Sequence, residues 1–255
     1  MTAPIIIGQI SDLHIGAAPK LRGERPEDNL LRAFDALRAF KPDIILATGD
    51  LANDEGAEEY ASLAQLLSRA PAPVFLLPGN HDDPDKMRAA FPDHIYFPTN
   101  GHLSYAIDHL PVRVVCLDQT ELHAVPGRFT PELAAWLNAT LAAAPDKPTL
   151  VALHHPPFPT NDILFDTIGL LGGDLFKGVI ARHPQVKRIA CGHHHRVTQG
   201  LVAHAPAISA PSTAWAYGSA FRDGDTPATI TPEPPAFLLH VWTARGGFAA
   251  HVMNF

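Results

Sequence analysis

Residues 5–16 read IIIGQISDLHIG: a β-branched apolar run that stops on an aspartate and a histidine two positions apart. Ile5–Ile10 has the composition of a strand, and the run is too short for a helix of ordinary length. Asp12-Leu13-His14 then sets acid and imidazole where that strand ends. The arrangement returns four times downstream. Residues 43–48 (DIILAT) run into Gly49-Asp50, and residues 74–77 (VFLL) run into Gly79-Asn80-His81-Asp82. Residues 149–153 (TLVAL) lead to His154-His155-Pro156-Pro157, and residues 186–190 (VKRIA) lead to Gly192-His193-His194-His195. Ligand sites in open α/β sheets gather at the carboxyl ends of strands. Five polar clusters that lie far apart in sequence are therefore expected to meet in one cleft.

Between the strands the apolar period lengthens. Pro26 suits a first helical position, and Leu30, Phe34 and Leu37 recur at helical spacing until Pro42 ends the helix near Phe40. Residues 56–68 (GAEEYASLAQLLS) predict a second helix. This βαβαβ start implies a parallel sheet covered by helices. Residues 103–107 and 112–117 predict a hairpin pair that turns near residues 108–111. Thr130-Pro131 opens a helix that fades by Pro145, and residues 175–181 predict another before the last motif strand. From Val197 onward only short strand patterns occur (VTQGLVA, PAISAP, AFLLHVW, GFAAHVM). Residues 224–235, with four prolines, predict an exposed loop. No internal repeat is found. A single domain over residues 1–255 is expected, with residues 205–255 as its strand-rich end.

Of the 255 residues 46% are hydrophobic and 18% charged, enough to build a large core. The formal charge is −7 and there is no basic run, so the footprint of a nucleic-acid polymer binder is missing. A small phosphate ester stays open as a partner. Cys116 and Cys191 form no CxxC pair, which argues against thiolate metal chemistry and suits a reducing compartment. The opening MTAPIIIGQISD lacks a basic segment, and no apolar run approaches the ~18 residues of a spanning helix. A cytoplasmic protein without membrane insertion is expected; homo-oligomerisation is left open.

Carboxylate, imidazole and amide oxygen suit Mn, Fe, Co or Zn. On an extended chain Asp12 and His14 point the same way, as do His193 and His195, while His194 turns away. Asp50 is the natural bridge between two cations, because its cluster offers no other ligand. Two divalent ions carry more charge than two aspartates and a hydroxide, so the site attracts an anionic phosphate ester. Each motif alone is ordinary: a polar loop, a Gly-Asp turn, a surface histidine cluster. All five in order, each after a strand, are not.

The set Asp-x-His, Gly-Asp, Gly-Asn-His-Asp, strand-end His and Gly-His-x-His resembles the calcineurin-like metallophosphoesterase superfamily over residues 10–195. Its His-His-Pro-Pro and Asn-His-Asp-Asp versions are similar to the branch of class III cyclic-nucleotide phosphodiesterases and bacterial glycerophosphodiesterases. The resemblance implies a four-layer α/β/β/α fold with two central mixed sheets. It implies one metal on Asp12, His14, Asp50 and His195, and another on Asp50, Asn80, His154 and His193. His81 would sit beside the phosphate as an acid or electrostatic group. The implied reaction is hydrolysis of a small phosphodiester, a 3′,5′-cyclic nucleotide or a glycerophosphodiester. Two divalent or mixed-valence transition-metal ions (Mn, Fe, Zn or Co) would lie ~3.5–4 Å apart and share a hydroxide nucleophile. A phosphomonoesterase or broad phosphoesterase on the same scaffold is the alternative. A non-catalytic scaffold is a third reading, against which the intact ligand set argues. Around the centre, His155, Arg22 and Trp215 are candidate substrate contacts, joined by Arg25 and Tyr217. Asp82 and Asp83 read as a helix cap, and His194 as a residue behind the ligands or exposed. Residues 205–255 carry no motif for a particular substrate.

Overall fold

The computed structural model describes residues 3–20, 23–225 and 229–255. The chain begins β1 (Ile5–Ile10), α1 (Pro26–Arg38), β2 (Ile44–Thr48), α2 (Ala57–Leu67), β3 (Val74–Leu77) and α3 (Pro84–Ala90). It continues β4 (Tyr105–Ile107), β5 (Arg113–Cys116), β6 (Gly127–Arg128), α4 (Pro131–Ala142), β7 (Thr149–Ala152), α5 (Ile163–Thr167), β8 (Leu170–Leu171), α6 (Gly173–Ala181) and β9 (Val186–Cys191). The remaining strands are β10 (Gln199–Val202), β11 (Ala205–Ser209), β12 (Ala216–Tyr217), β13 (Ile230–Thr231), β14 (Ala236–Thr243) and β15 (Gly247–Asn254).

Two mixed sheets result, ordered β15-β14-β1-β2-β3 and β10-β11-β9-β7-β5-β4. In the first, β1, β2 and β3 run parallel, with Ile7 opposite Ile44 and Ile45 opposite Val74. In the second, β5, β7, β9 and β11 run parallel. The predicted hairpin pair is β4 against β5, antiparallel. All five motifs thus leave the same, carboxyl, ends of parallel strands.

Side-chain alternation explains the layering. Ile5, Ile7, Ile44 and Leu46 pack against Val114, Cys116, Leu150 and Ala152 of the other sheet. Their neighbours Ile10, Ile45 and Ala47 face the other way, onto Leu30, Phe34 and Leu37 of α1 and Tyr60 and Leu63 of α2. On the second sheet Val115, Val151 and Ile189 meet Leu133 and Leu137 of α4 and Phe176 and Ile180 of α6. Period-2 strands with apolar residues at every position are what a sheet buried on both faces requires. The outcome is α/β/β/α, as the resemblance implied. Helix starts follow the sequence: Asp83 accepts from Asp85 N and Lys86 N before Pro84, and Thr130 accepts from Leu133 N before Pro131.

One element is unforeseen and one expectation needs correction. The short α5 has no periodic signal; Asp162, accepting from Leu164 N, starts it. The proline-rich stretch 224–235 is not all loop, because β13 within it pairs with β12.

Candidate active site

The motif loops interlock through their backbones before any side chain reaches the centre. Asp12 N donates to Gly49 O (3.0 Å), His14 N to Asp50 O (2.9 Å) and Gly192 N to His154 O (2.8 Å). His193 N donates to Asp12 Oδ1 (3.0 Å) and His81 N to Asp50 Oδ1 (3.0 Å). Glycine is required where these loops touch. A Cβ on Gly49, at φ +94°, would collide with the His154 ring, and one on Gly192 would collide with the Ser11 hydroxyl.

The donors gather in two adjoining groups. Ligand-type atoms of Asp12, His14, Asp50 and His195 lie within 4.8 Å of one another, and so do those of His154, His155 and His193. Asp50 stands between them. Its Oδ2 is 3.8 Å from His14 Nε2 and its Oδ1 is 3.3 Å from His154 Nε2. Asn80 Oδ1 lies 3.2 Å from the same His154 nitrogen.

Backbone carbonyls set the imidazole tautomers. His154 Nδ1–H donates to Thr48 O (2.7 Å), His195 Nδ1–H to Trp215 O (2.8 Å) and His193 Nε2–H to Ile168 O (3.1 Å). Each ring's other nitrogen therefore offers a lone pair, the outer-layer arrangement typical of metal-binding histidines. The remaining atoms fit the same chemistry: His14 Nε2 and His195 Nε2 face each other at 3.2 Å, and the buried Asp12 Oδ2 and His14 Nδ1 have no hydrogen-bond partner. A cation among the Asp12 carboxylate, His14 Nε2 and His195 Nε2 satisfies those atoms together, while His14 Nδ1 lies on the far side of its ring.

The electrostatics agree. Burial raises the Asp12 carboxyl. Burial would raise Asp50 too, but His154, His14 and His81 outweigh it and hold Asp50 well below the usual carboxylate range. His14 and His193 are pushed well below 6.5 by burial. His154 goes the other way: burial opposes its charge, but Asp50 and Asp12 push it up to about 9. Two buried carboxylates thus draw a positive charge to the centre, a place for which a divalent ion competes strongly.

Several expectations change. Asp12 (φ 52°), His14 (φ 46°), Asp50 (φ 51°), His193 (φ 66°) and His195 (φ 55°) are left-handed, not extended. Their convergence comes from tightly turned strand ends rather than from strand alternation. Asp82 is no helix cap. It is buried and accepts from Gly79 N, Leu51 N, Ala52 N and Tyr60 Oη, tying the second and third motifs together. His155 is occupied at both nitrogens: Gln119 Nε2 donates to Nδ1 (2.8 Å), and Nε2–H donates to Val125 O (2.8 Å). It braces the 119–127 segment instead of facing the cleft. Trp215 stacks on His14 at 4.5 Å and is not on the cleft surface, whereas Tyr217 is. His194 is buried, 2.7 Å from Thr198 Oγ1 and 3.7 Å from Asp162. Arg22 lies outside the described residues, and Arg25 pairs with Glu27. His81 reaches the cleft edge, its Nδ1–H donating to Asn53 O (2.8 Å), which leaves Nε2 as the free nitrogen.

The donor cluster floors a cleft of about 310 Å³. Its walls are Val125, Leu164, Phe165, Ile168 and Tyr217, and no described lysine or arginine lines it. The calcineurin-like phosphoesterase family model matches residues 5–197. The chain belongs to that family. Curated relatives span nearly all of this calcineurin-like phosphoesterase. A probable glycerophosphodiester phosphodiesterase GpdQ of Arcobacter nitrofigilis is 30% identical over 97% of this chain and 92% of that protein. A 3′,5′-cyclic-nucleotide phosphodiesterase of Nostoc is 30% identical over 98% and 92%. The 3′,5′-cyclic adenosine monophosphate phosphodiesterase CpdA of Escherichia coli is 31% identical over 76% and 70%. In fold, the crystal structure of a dimetal phosphatase from Danio rerio superimposes with a TM-score of 0.70 at 15% identity, covering 98% of this chain and 99% of the other. Among the described residues of this phosphoesterase no helix is long and apolar enough to cross a membrane.

Proposed function

We propose that this chain is a dinuclear metal-dependent phosphodiesterase acting on a small diester of the cyclic-nucleotide or glycerophosphodiester type. Asp12, His14, Asp50 and His195 would hold one transition-metal ion, and Asp50, Asn80, His154 and His193 the other, drawn from Mn, Fe, Zn or Co. The observation that carries the reading is Asp50, whose two carboxylate oxygens face one donor group each, Oδ2 at 3.8 Å from His14 Nε2 and Oδ1 at 3.3 Å from His154 Nε2. When bound, the metals would supply charge for the phosphoryl oxygens and a nucleophile at neutral pH.

The chain's own residues do the rest. His81, fixed by Asn53 O, presents Nε2 at the cleft edge, where the doubly protonated ring would give its Nε2 proton to the departing alkoxide. Asn53 and Asp50 hold His81 from both sides, through its ring and its backbone N–H. Val125, Leu164, Phe165 and Ile168 make the rest of the cleft wall apolar. With no described cation in the lining, a monoanionic diester is better matched than a dianionic monoester. Both thiols are buried and free, which suits a cytoplasmic setting.

The test pairs bis(4-nitrophenyl) phosphate with 4-nitrophenyl phosphate, after chelation and after Mn²⁺ or Co²⁺ is restored. Chelation is expected to abolish turnover, the metals to restore it, and kcat/KM to favour the diester. Full activity in a verified metal-free sample refutes the metal centre; a clear monoester preference makes this a phosphomonoesterase.

A further inference from the structure

We infer that the cleft selects a diester whose non-reacting arm is an apolar aryl ring over one bearing a polyol. This rests on the phosphodiesterase reading and concerns the wall that faces the donor cluster. Val125, Leu164, Phe165 and Ile168 have no polar side-chain atom, and together they form most of that wall. Apart from the donor cluster, the polar side chains in the lining are His81 and Tyr217, and His81 Nδ1 is committed to Asn53. A glyceryl arm brings two hydroxyls that this wall leaves without partners once water is displaced. A ring has no such loss and gains contact with Phe165 and Tyr217, whose ring centroids are 6.1 Å apart and tilted by 46°.

The wall is fixed in place. Asp162, almost fully buried, accepts from Leu164 N (3.2 Å) and from Ala220 N (3.2 Å), joining α5 to the 218–221 turn beside Tyr217. Asp166 accepts from Thr160 N and Asn161 N at the base of α5. Ile168 O receives the His193 Nε2–H, so the end of α5 is tied to the donor cluster itself. Phe165 is buried with its ring 4.6 Å from His194 and 5.7 Å from His193. Phe165 also lines a separate hollow of about 500 Å³ with Phe158, Leu170 and Leu201.

Diesters that share one 4-nitrophenol leaving group isolate the second arm: methyl, 2,3-dihydroxypropyl and benzyl, each with the Mn²⁺-loaded protein. The benzyl ester is expected to exceed the dihydroxypropyl ester by about tenfold or more in kcat/KM, with the difference carried by KM. Phe165→Ala is expected to bring the benzyl-to-dihydroxypropyl ratio towards one. Leu164→Asn, at a half-buried position that tolerates change, is expected to do the same from the neighbouring part of the wall. An equal or reversed ratio in the native protein overturns the inference, as does a ratio that survives in either folded, metal-loaded variant. If the methyl ester is still hydrolysed in that case, the phosphodiesterase reading stands; if none of the esters is turned over, both fail.

Discussion

Asp82 shows how much of a site can rest on a residue that touches no substrate. Three backbone N–H groups and the Tyr60 hydroxyl converge on its carboxylate. Asp82→Ala leaves these buried donors unpaired at about 1–3 kcal/mol each, so a loss of roughly 3 kcal/mol or more is expected in denaturant unfolding. A variant within 1 kcal/mol of the parent would mean that water replaces the carboxylate. The histidine triplet gives a second contrast. His193→Ala and His195→Ala are expected to lose bound metal and nearly all turnover. His194→Ala is expected to keep both ions, because its ring faces Thr198 and Asp162 and not the centre. Metal analysis per chain decides it; loss of an ion from His194→Ala alone reverses the assignment. Spacing on an extended chain also separates His193 and His195 from His194, but the structure reaches that arrangement by another route, through left-handed residues. The role of Asp82 was not legible, because an aspartate before Asp83-Pro84 looks the same whether it caps the helix ahead or braces the loops behind.

At the level of elements, the ends of the strands carry the information. The strands themselves were legible from β-branched runs, and their parallel order from the intervening helices. What spacing could not reveal is that the chain leaves β1, β2 and β9 through left-handed residues. Such a residue costs about 1–3 kcal/mol and persists only when its surroundings hold it. Here the holding groups are long-range backbone bonds such as His14 N to Asp50 O. Aspartate and histidine tolerate this region better than most residues, a weak signal that a single sequence does not separate from ligand chemistry. Gly49→Ala tests the packing of these turns. Its positive φ and its contact with His154 both oppose a methyl group, so metal content is expected to fall on the His154 side and turnover by about 10–100-fold. Full metal loading and activity in that variant would show that the second turn can shift freely.

Across the whole molecule the two sheets are joined by a buried polar chain. His240 Nε2–H donates to Gln9 Oε1 (2.8 Å), and Gln9 Nε2 donates to Thr48 Oγ1 and to Cys191 O. Burial, reinforced by Arg188, pushes His240 down to about 3, against 6.5 in an open chain. Above pH 6.5 both states are neutral at this residue. Between 6.5 and about 3 the unfolded chain takes up the proton and the folded chain does not, so stability falls with pH by about 1.4 kcal/mol per unit. His240→Gln keeps a donor for Gln9 and removes the titration, so its unfolding midpoint is expected to be the less steep of the two below pH 6.5. Identical slopes would place a different group in control of acid unfolding. Residues 205–255 offered no motif, yet β14 supplies the neighbour of β1 on the side away from β2. This has a consequence for synthesis on the ribosome. Every metal-ligand candidate has been translated by His195, but the strand that ends in Asp12 keeps an open edge until residues 236–243 emerge. During that interval the nascent chain carries all the candidate ligands and a central strand paired on one side only, and the exposed edge is open to pairing with other chains.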